Sequence, residues 1–125
     1  MKNTYSYLIG LLDHVDAPWT ENLRQILISA AATGNSVNLQ HCTVEFAFSQ
    51  ALRRLKTTRV KEKRTFGIES LIEELRHLNE NMVLDYYIIS TENYLGTCFV
   101  LEDRLIGCEF VIKSGTKSMP GLWID

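Results

Sequence analysis

Six residues hold most of the chain's capacity for metal or thiol chemistry: Cys42, Cys98, Cys108, His14, His41 and His77. Zinc sites draw their ligands in close pairs, C-x2-C or H-x3–5-H. Here only His41 and Cys42 are neighbours, and the other four are scattered. No metal site is expected on that spacing, and no cofactor. A nucleophilic centre needs a Cys, Ser or Thr beside a base, with a third group orienting the base. Cys42, His77 and a glutamate supply the types, but sequence does not bring them together. No G-x-S-x-G elbow, P-loop or G-x-G-x-x-G occurs. Glu73 and Glu74 are adjacent, so on a helix their side chains diverge by about 100° and cannot share a proton.

Charge is the more informative pattern. The net charge is −2, with 13 basic and 15 acidic residues, but the two signs are segregated. Residues 53–64, RRLKTTRVKEKR, hold Arg53, Arg54, Lys56, Arg59, Lys61, Lys63 and Arg64 against Glu62 alone. Beyond them lie Glu69, Glu73, Glu74, Glu80, Asp85, Glu92, Glu102, Asp103, Glu109 and Asp125. Only Arg76, Arg104, Lys113 and Lys117 accompany these acids. The basic run invites a nucleic-acid reading, since seven cations would release counterions from a phosphate backbone. Against this stand a pI of 5.9, which is low for a nucleic-acid-binding domain, and the absence of aromatics within the run. The preferred reading is that Arg53, Arg54 and Lys56 close a helix, where cations suit the C-terminal dipole, and that a solvated loop follows.

These groups need a frame. At 125 residues, 46% hydrophobic and 22% charged, the chain is expected to form one domain, 1–125, around a real core. Three cysteines exclude a complete disulfide framework. Asp13 and Asp16 interrupt the N-terminal apolar run, and no stretch approaches the ~20 apolar residues of a membrane span. A cytoplasmic protein with reduced thiols and no membrane contact is expected.

Periodicity predicts four helices over about 4–80. Tyr5, Leu8, Leu12 and Val15 space the first. Asp16 and Pro18 open the second, which carries Trp19, Leu23, Ile26, Leu27 and Ala30 and stops at Gly34. The third, about 43–56, places Val44, Ala47, Phe48, Ala51, Leu52 and Leu55 together, although 44–48 would also suit a strand. The fourth, from Thr65 or Gly67, carries Ile68, Leu71, Ile72, Leu75 and Leu78, with its acids on the far side. After Asn81 the period drops to two, and a three-stranded antiparallel meander is expected over about 82–113. A three-residue turn pairing Leu101 with Leu105 would set Cys98 opposite Cys108, and a two-residue turn would shift that register by one. The tail 114–125 has loop composition, and Trp123 is expected to pack. The fold class is therefore α+β, with helices on one sheet face.

That one-sided cover would leave Tyr86 or Tyr87 outside, and would place Tyr94 in a turn. Glu69, Glu73, Glu74, Glu80, Asp85, Tyr87, Glu92, Tyr94, Glu102 and Asp103 then form a candidate contact surface, acids for steering and tyrosines for anchoring. Small size, net acidity, segregated charge and the lack of a catalytic motif together resemble the bacterial immunity proteins of contact-dependent inhibition and colicin systems. The resemblance implies a non-enzymatic chain that binds and neutralises one cognate toxin domain, often a nuclease with a basic cleft. Two alternatives remain from the residues themselves. A nucleic-acid-associated regulator would use Arg53, Arg54, Lys56, Arg59, Lys61, Lys63 and Arg64. A small enzyme would gather perturbed titrating groups in a pocket between helices and sheet.

Overall fold

The structure, a computed structural model, describes residues 4–61 and 65–112, and for 57–61, 65–66 and 112 the backbone only. Lys63, Arg64 and the tail 114–125 with Trp123 lie outside the described residues, as do the side chains of Arg59 and Lys61. The chain runs α1 (Thr4–Leu12), α2 (Thr20–Ala32), β1 (Val37–Thr43), α3 (Val44–Lys61), β2 (Thr65–Phe66), α4 (Ile68–Arg76), β3 (Val83–Ser90), β4 (Tyr94–Leu101) and β5 (Arg104–Ile112). All four expected helices form, and α+β describes the whole. Two corrections follow. The meander β3-β4-β5 is extended to five strands in the order β1-β3-β4-β5-β2, every pair antiparallel. Strands also interrupt the helical half, so the order is not helices first and sheet second.

β1 was hidden because its pattern is weak. Val37 and Leu39 alternate with Asn38 and Gln40, but His41 and Cys42 break the alternation. The strand forms by pairing with β3, where Val37 faces Ile89 and Thr43 faces Val83. Helix α3 then starts at Val44, whose N–H donates to Met82 O at 2.8 Å. It runs five residues further than its apolar stripe suggests, so Arg59 and Lys61 are helical in backbone and not part of a loop.

Helix ends follow local chemistry. Ahead of α2, Thr20 Oγ1 accepts from the Ala17 N–H at 3.1 Å and donates to Val15 O at 3.2 Å. At its end Gly34 takes φ 73°, and the Asn35 N–H closes on Ala30 O at 3.1 Å. Gly67, φ 88°, precedes α4, and a Cβ there would sit 2.4 Å from Cys108 O.

Both sheet faces are covered. Alternate strand residues go to opposite cores, as the pleat requires. On one face Tyr87, Ile89, Cys98, Val100, Cys108 and Phe110 pack under Leu8 and Leu12 of α1 and Leu23 and Leu27 of α2. On the other, Leu84, Phe99, Leu101 and Ile106 meet Val44, Ala47 and Ala51 of α3 and Ile68, Leu71 and Leu75 of α4. The molecule is a three-layer α/β/α arrangement, which corrects the expectation of one-sided cover. The cause is visible in β4, YLGTCFVL, where all but Leu95 are buried. A strand with apolar or small residues at nearly every position cannot leave one face in water. Each fully buried leucine contributes roughly 1.5–3 kcal/mol.

Register is decided by two local features. The β4–β5 turn has two residues, Glu102 and Asp103, both at positive φ (50° and 59°), which joins antiparallel strands without splaying them. Leu101 accordingly pairs with Arg104. An irregularity between Phe99 and Val100 then moves the partner from Leu105 to Gly107, skipping Ile106. Cys98 thus faces Cys108 after all, through a bulge and not through a longer turn. Neither cysteine is in a disulfide, and both are wholly buried.

Candidate functional site

α4 is held by its apolar side. Ile68, Leu71, Ile72 and Leu75 are 1–5% exposed, whereas Glu69, Glu73 and Glu74 face solvent. The helix is short, and its stripe is clean enough to fix which side chains project. Its last turn is pinned to α3 through Arg76, whose guanidinium carbon lies 6.0 Å from the centre of the Phe48 ring. Glu73 Oε1 is 3.3 Å from His77 Nε2 on the outer surface.

The sheet assembles the remaining acids at one end. β3 begins there, beside the β4–β5 turn, so Asp85, Glu102 and Asp103 lie at one end of the sheet, with Glu80 just ahead of β3. Glu45 joins them, its N–H donating to Glu80 O at 3.0 Å. Sequence separation concealed Glu45, thirty-five residues from Glu80; the pairing of β1, just before Glu45, with β3, just after Glu80, brings them together. Glu92 is at the β3–β4 turn, the opposite end, and does not join this group.

Two of these acids have internal partners. Asp85 Oδ1 lies 2.7 Å from His41 Nδ1 across the β1–β3 pair. The Tyr7 hydroxyl donates to Asp103 Oδ1 at 2.6 Å. Burial, then that hydrogen bond to a carboxylate, pushes the Tyr7 phenol above its ordinary range. The tyrosines expected as surface anchors are corrected outright. Tyr87 is 8% exposed and Tyr94 is 6% exposed, both in the core beneath α1 and α2. Two-sided cover of the sheet removes them from any contact surface. Tyr94 is the first residue of β4 and not a turn residue.

The basic run is divided by its helix. Arg53, Arg54 and Lys56 are exposed on α3. Arg54 is not simply a solvated cation: its Nη1 donates to Oε1 of Glu109 on β5. Glu109 is 3% exposed, and its second oxygen, Oε2, is shut off from solvent without a hydrogen-bond partner among the described residues. Burial raises the carboxyl pKa, and the Arg54 charge and hydrogen bond only partly oppose this. Sequence reasoning listed Glu109 only among the acids of the C-terminal half and gave it no role, because a lone glutamate in a strand gives no sign of which face it takes.

Between α3 and the sheet runs a groove of about 640 Å³. Its helix wall is Phe46, Ala47, Gln50, Ala51 and Arg54, and its floor includes Tyr86, Thr97, Phe99 and Glu109. Tyr86 and Phe99 stack there with ring centres 5.8 Å apart. Cys42 also lines it, half-buried, with its thiol pKa raised by burial, which leaves it protonated and weakly nucleophilic at neutral pH. His77 is paired with Glu73 on the outer surface of α4, so the Cys42–His77–glutamate set is not assembled. Among the described residues no three His, Cys, Asp or Glu side chains are grouped to hold a metal ion, and no helix is long and apolar enough to cross a membrane.

No family model, curated protein or solved structure matches this chain.

Proposed function

We propose that this chain is a protein-binding domain that performs no chemistry of its own and engages a basic partner, with a toxin domain of the immunity-protein kind as the best candidate. The reading is supported chiefly by α4: four apolar side chains fix the helix while Glu69, Glu73 and Glu74 project from it. Glu45, Glu80, Asp85, Glu102 and Asp103 add acids at one end of the sheet, with Asp85 and Asp103 turned toward the α1 side. A preformed acidic face of this sort steers a basic partner into register and repels acidic ones. Tyr87, Tyr94 and Glu92 are not part of the proposed contact. Beside Glu45 and near the start of β3, Phe46, 52% exposed, and Val83, 60% exposed, offer apolar contacts instead.

The test is titration calorimetry against the basic toxin domain encoded beside this chain's gene, with wild type and a Glu69→Lys, Glu73→Lys, Glu74→Lys triple variant. One-to-one binding is expected. The triple variant is expected to weaken it about tenfold or more, mainly through a slower, less salt-dependent association rate. Its unfolding free energy should stay within about 0.5 kcal/mol of wild type, because exposed charges contribute little. Unchanged affinity in that variant, with loss on reversing Arg59, Lys61 and Lys63, would assign binding to the other face. A missing toxin-like neighbour would remove the immunity reading altogether.

A further inference from the structure

The groove under α3 carries a feature that the acidic surface does not use. Its floor is apolar and aromatic, formed in part by the stacked Tyr86 and Phe99 and by Ile88. Its volume, about 640 Å³, is in the range of sites that enclose a small molecule. Set in this apolar floor is Glu109, with one oxygen on Arg54 and the other, Oε2, lacking a partner among the described residues. A buried carboxylate oxygen without a donor costs about 1–3 kcal/mol or more. A ligand that supplies the donor recovers that cost as affinity.

The charge balance narrows the ligand class. Arg54 already neutralises Glu109, and the exposed Arg53 also lines the groove. A cationic head would therefore bring further positive charge beside the guanidinium, and an anionic head would meet the buried carboxylate itself. A neutral group is selected, with an N–H for Oε2 and a carbonyl beside it for the guanidinium. Arg54 has donors to spare, since only Nη1 is engaged with Glu109 among the contacts described and a guanidinium offers five. Oε2 is itself shut off from solvent, so a ligand reaches it only by a local shift at the lip of the groove, where the Arg54 side chain is 54% exposed and keeps its contact with Oε1. Adjacent donor and acceptor atoms on one edge describe an amide or lactam, and the aromatic floor asks for a ring.

We propose that the groove between α3 and the sheet is a binding site for a small, uncharged, ring-bearing amide or lactam, seated with its N–H on Glu109 Oε2, its carbonyl on Arg54 and its ring over Tyr86 and Phe99. The site lies apart from the glutamates of α4 and shares only Phe46, at its rim, with the proposed protein contact.

The probe is benzamide, titrated into the isotopically labelled chain and followed by amide chemical shifts, with benzylamine and benzoate as charged counterparts of the same size. Saturable shifts are expected at Ala47, Ala51, Gly96 and Thr97, with benzamide binding more tightly than either ion. Glu109→Gln presents an amide in place of the acceptor pair and is expected to weaken benzamide about tenfold or more. Phe46→Ala alters only the exposed rim, so it keeps the test valid if Glu109→Gln does not fold; a several-fold loss is expected. Absence of shifts at millimolar benzamide would overturn the proposal. So would shifts outside the groove, benzylamine binding as tightly as benzamide, or full affinity in both variants.

Discussion

Arg54 of α3 and Glu109 of β5 are paired across fifty-five residues, joining the basic segment of the chain to its acidic half. The two ends of this bridge are unlike: the Arg54 side chain is 54% exposed and that of Glu109 is 4% exposed. It clamps the helix over the sheet at the lip of the groove, and it places an ionisable group where water does not reach.

Replacing Arg54 with methionine retains the aliphatic stem and removes the cation. Glu109 is then left as an uncompensated buried carboxylate, with an expected loss of about 1–3 kcal/mol at neutral pH, the half-exposed arginine being screened by water. The pH dependence has a definite sign. The folded-state carboxyl pKa is raised, so between its ordinary and raised values the folded chain binds more protons than the unfolded one. Stability therefore falls as pH rises through that window. In Arg54→Met the raised value goes higher still, and the difference from wild type should shrink as the medium is acidified. Urea unfolding at neutral and mildly acidic pH measures both effects. A difference that widens on acidification would contradict the sign.

Gly96 is required by its cross-strand partner. A Cβ at this position would sit 2.1 Å from the Phe110 ring, and that ring is wholly buried and has no room to yield. Gly96→Ala should cost about 1–3 kcal/mol by overpacking. In combination with Phe110→Leu the two losses should sum to more than the double variant shows, because the smaller side chain removes the clash. Additive losses in a double-mutant cycle would show that the glycine is needed for another reason.

The three thiols should differ sharply in reactivity. Cys42 is half-buried, whereas Cys98 and Cys108 have no exposed surface and burial pushes the Cys98 pKa up to about 12. A thiol reagent at neutral pH is expected to modify Cys42 slowly, and Cys98 and Cys108 only as fast as the sheet opens. Counting released chromophore with and without denaturant checks this. Three equal rates in native buffer would contradict the buried cysteine pair.

Much of the frame was legible from residue order. The stripe Ile68, Leu71, Ile72, Leu75 specified α4 and therefore which glutamates project. The change to period two after Asn81 located β3, β4 and β5. The candidate contact surface was half legible. Glu69, Glu73 and Glu74 are outside as their helical phase requires, but Tyr87 and Tyr94 are inside because a second helical layer covers them. Glu45 was unread because its neighbour Glu80 is adjacent only through the β1–β3 pairing.

What the sequence determined by itself was therefore whatever depends on neighbours within a few turns: the amphipathic helices, the capping glycine at Gly34, the strand-rich C-terminal half and the segregation of charge. What the tertiary structure decided was whatever depends on partners far along the chain. The conversion of a three-stranded meander into a five-stranded sheet between two helical layers is one such outcome, and the facing of Cys98 and Cys108 through a bulge is another. The pairing of Arg54 with Glu109 is the third. Period and propensity act over distances of one or two turns, whereas the face a strand residue takes and the charge it meets are set by which layers close over it.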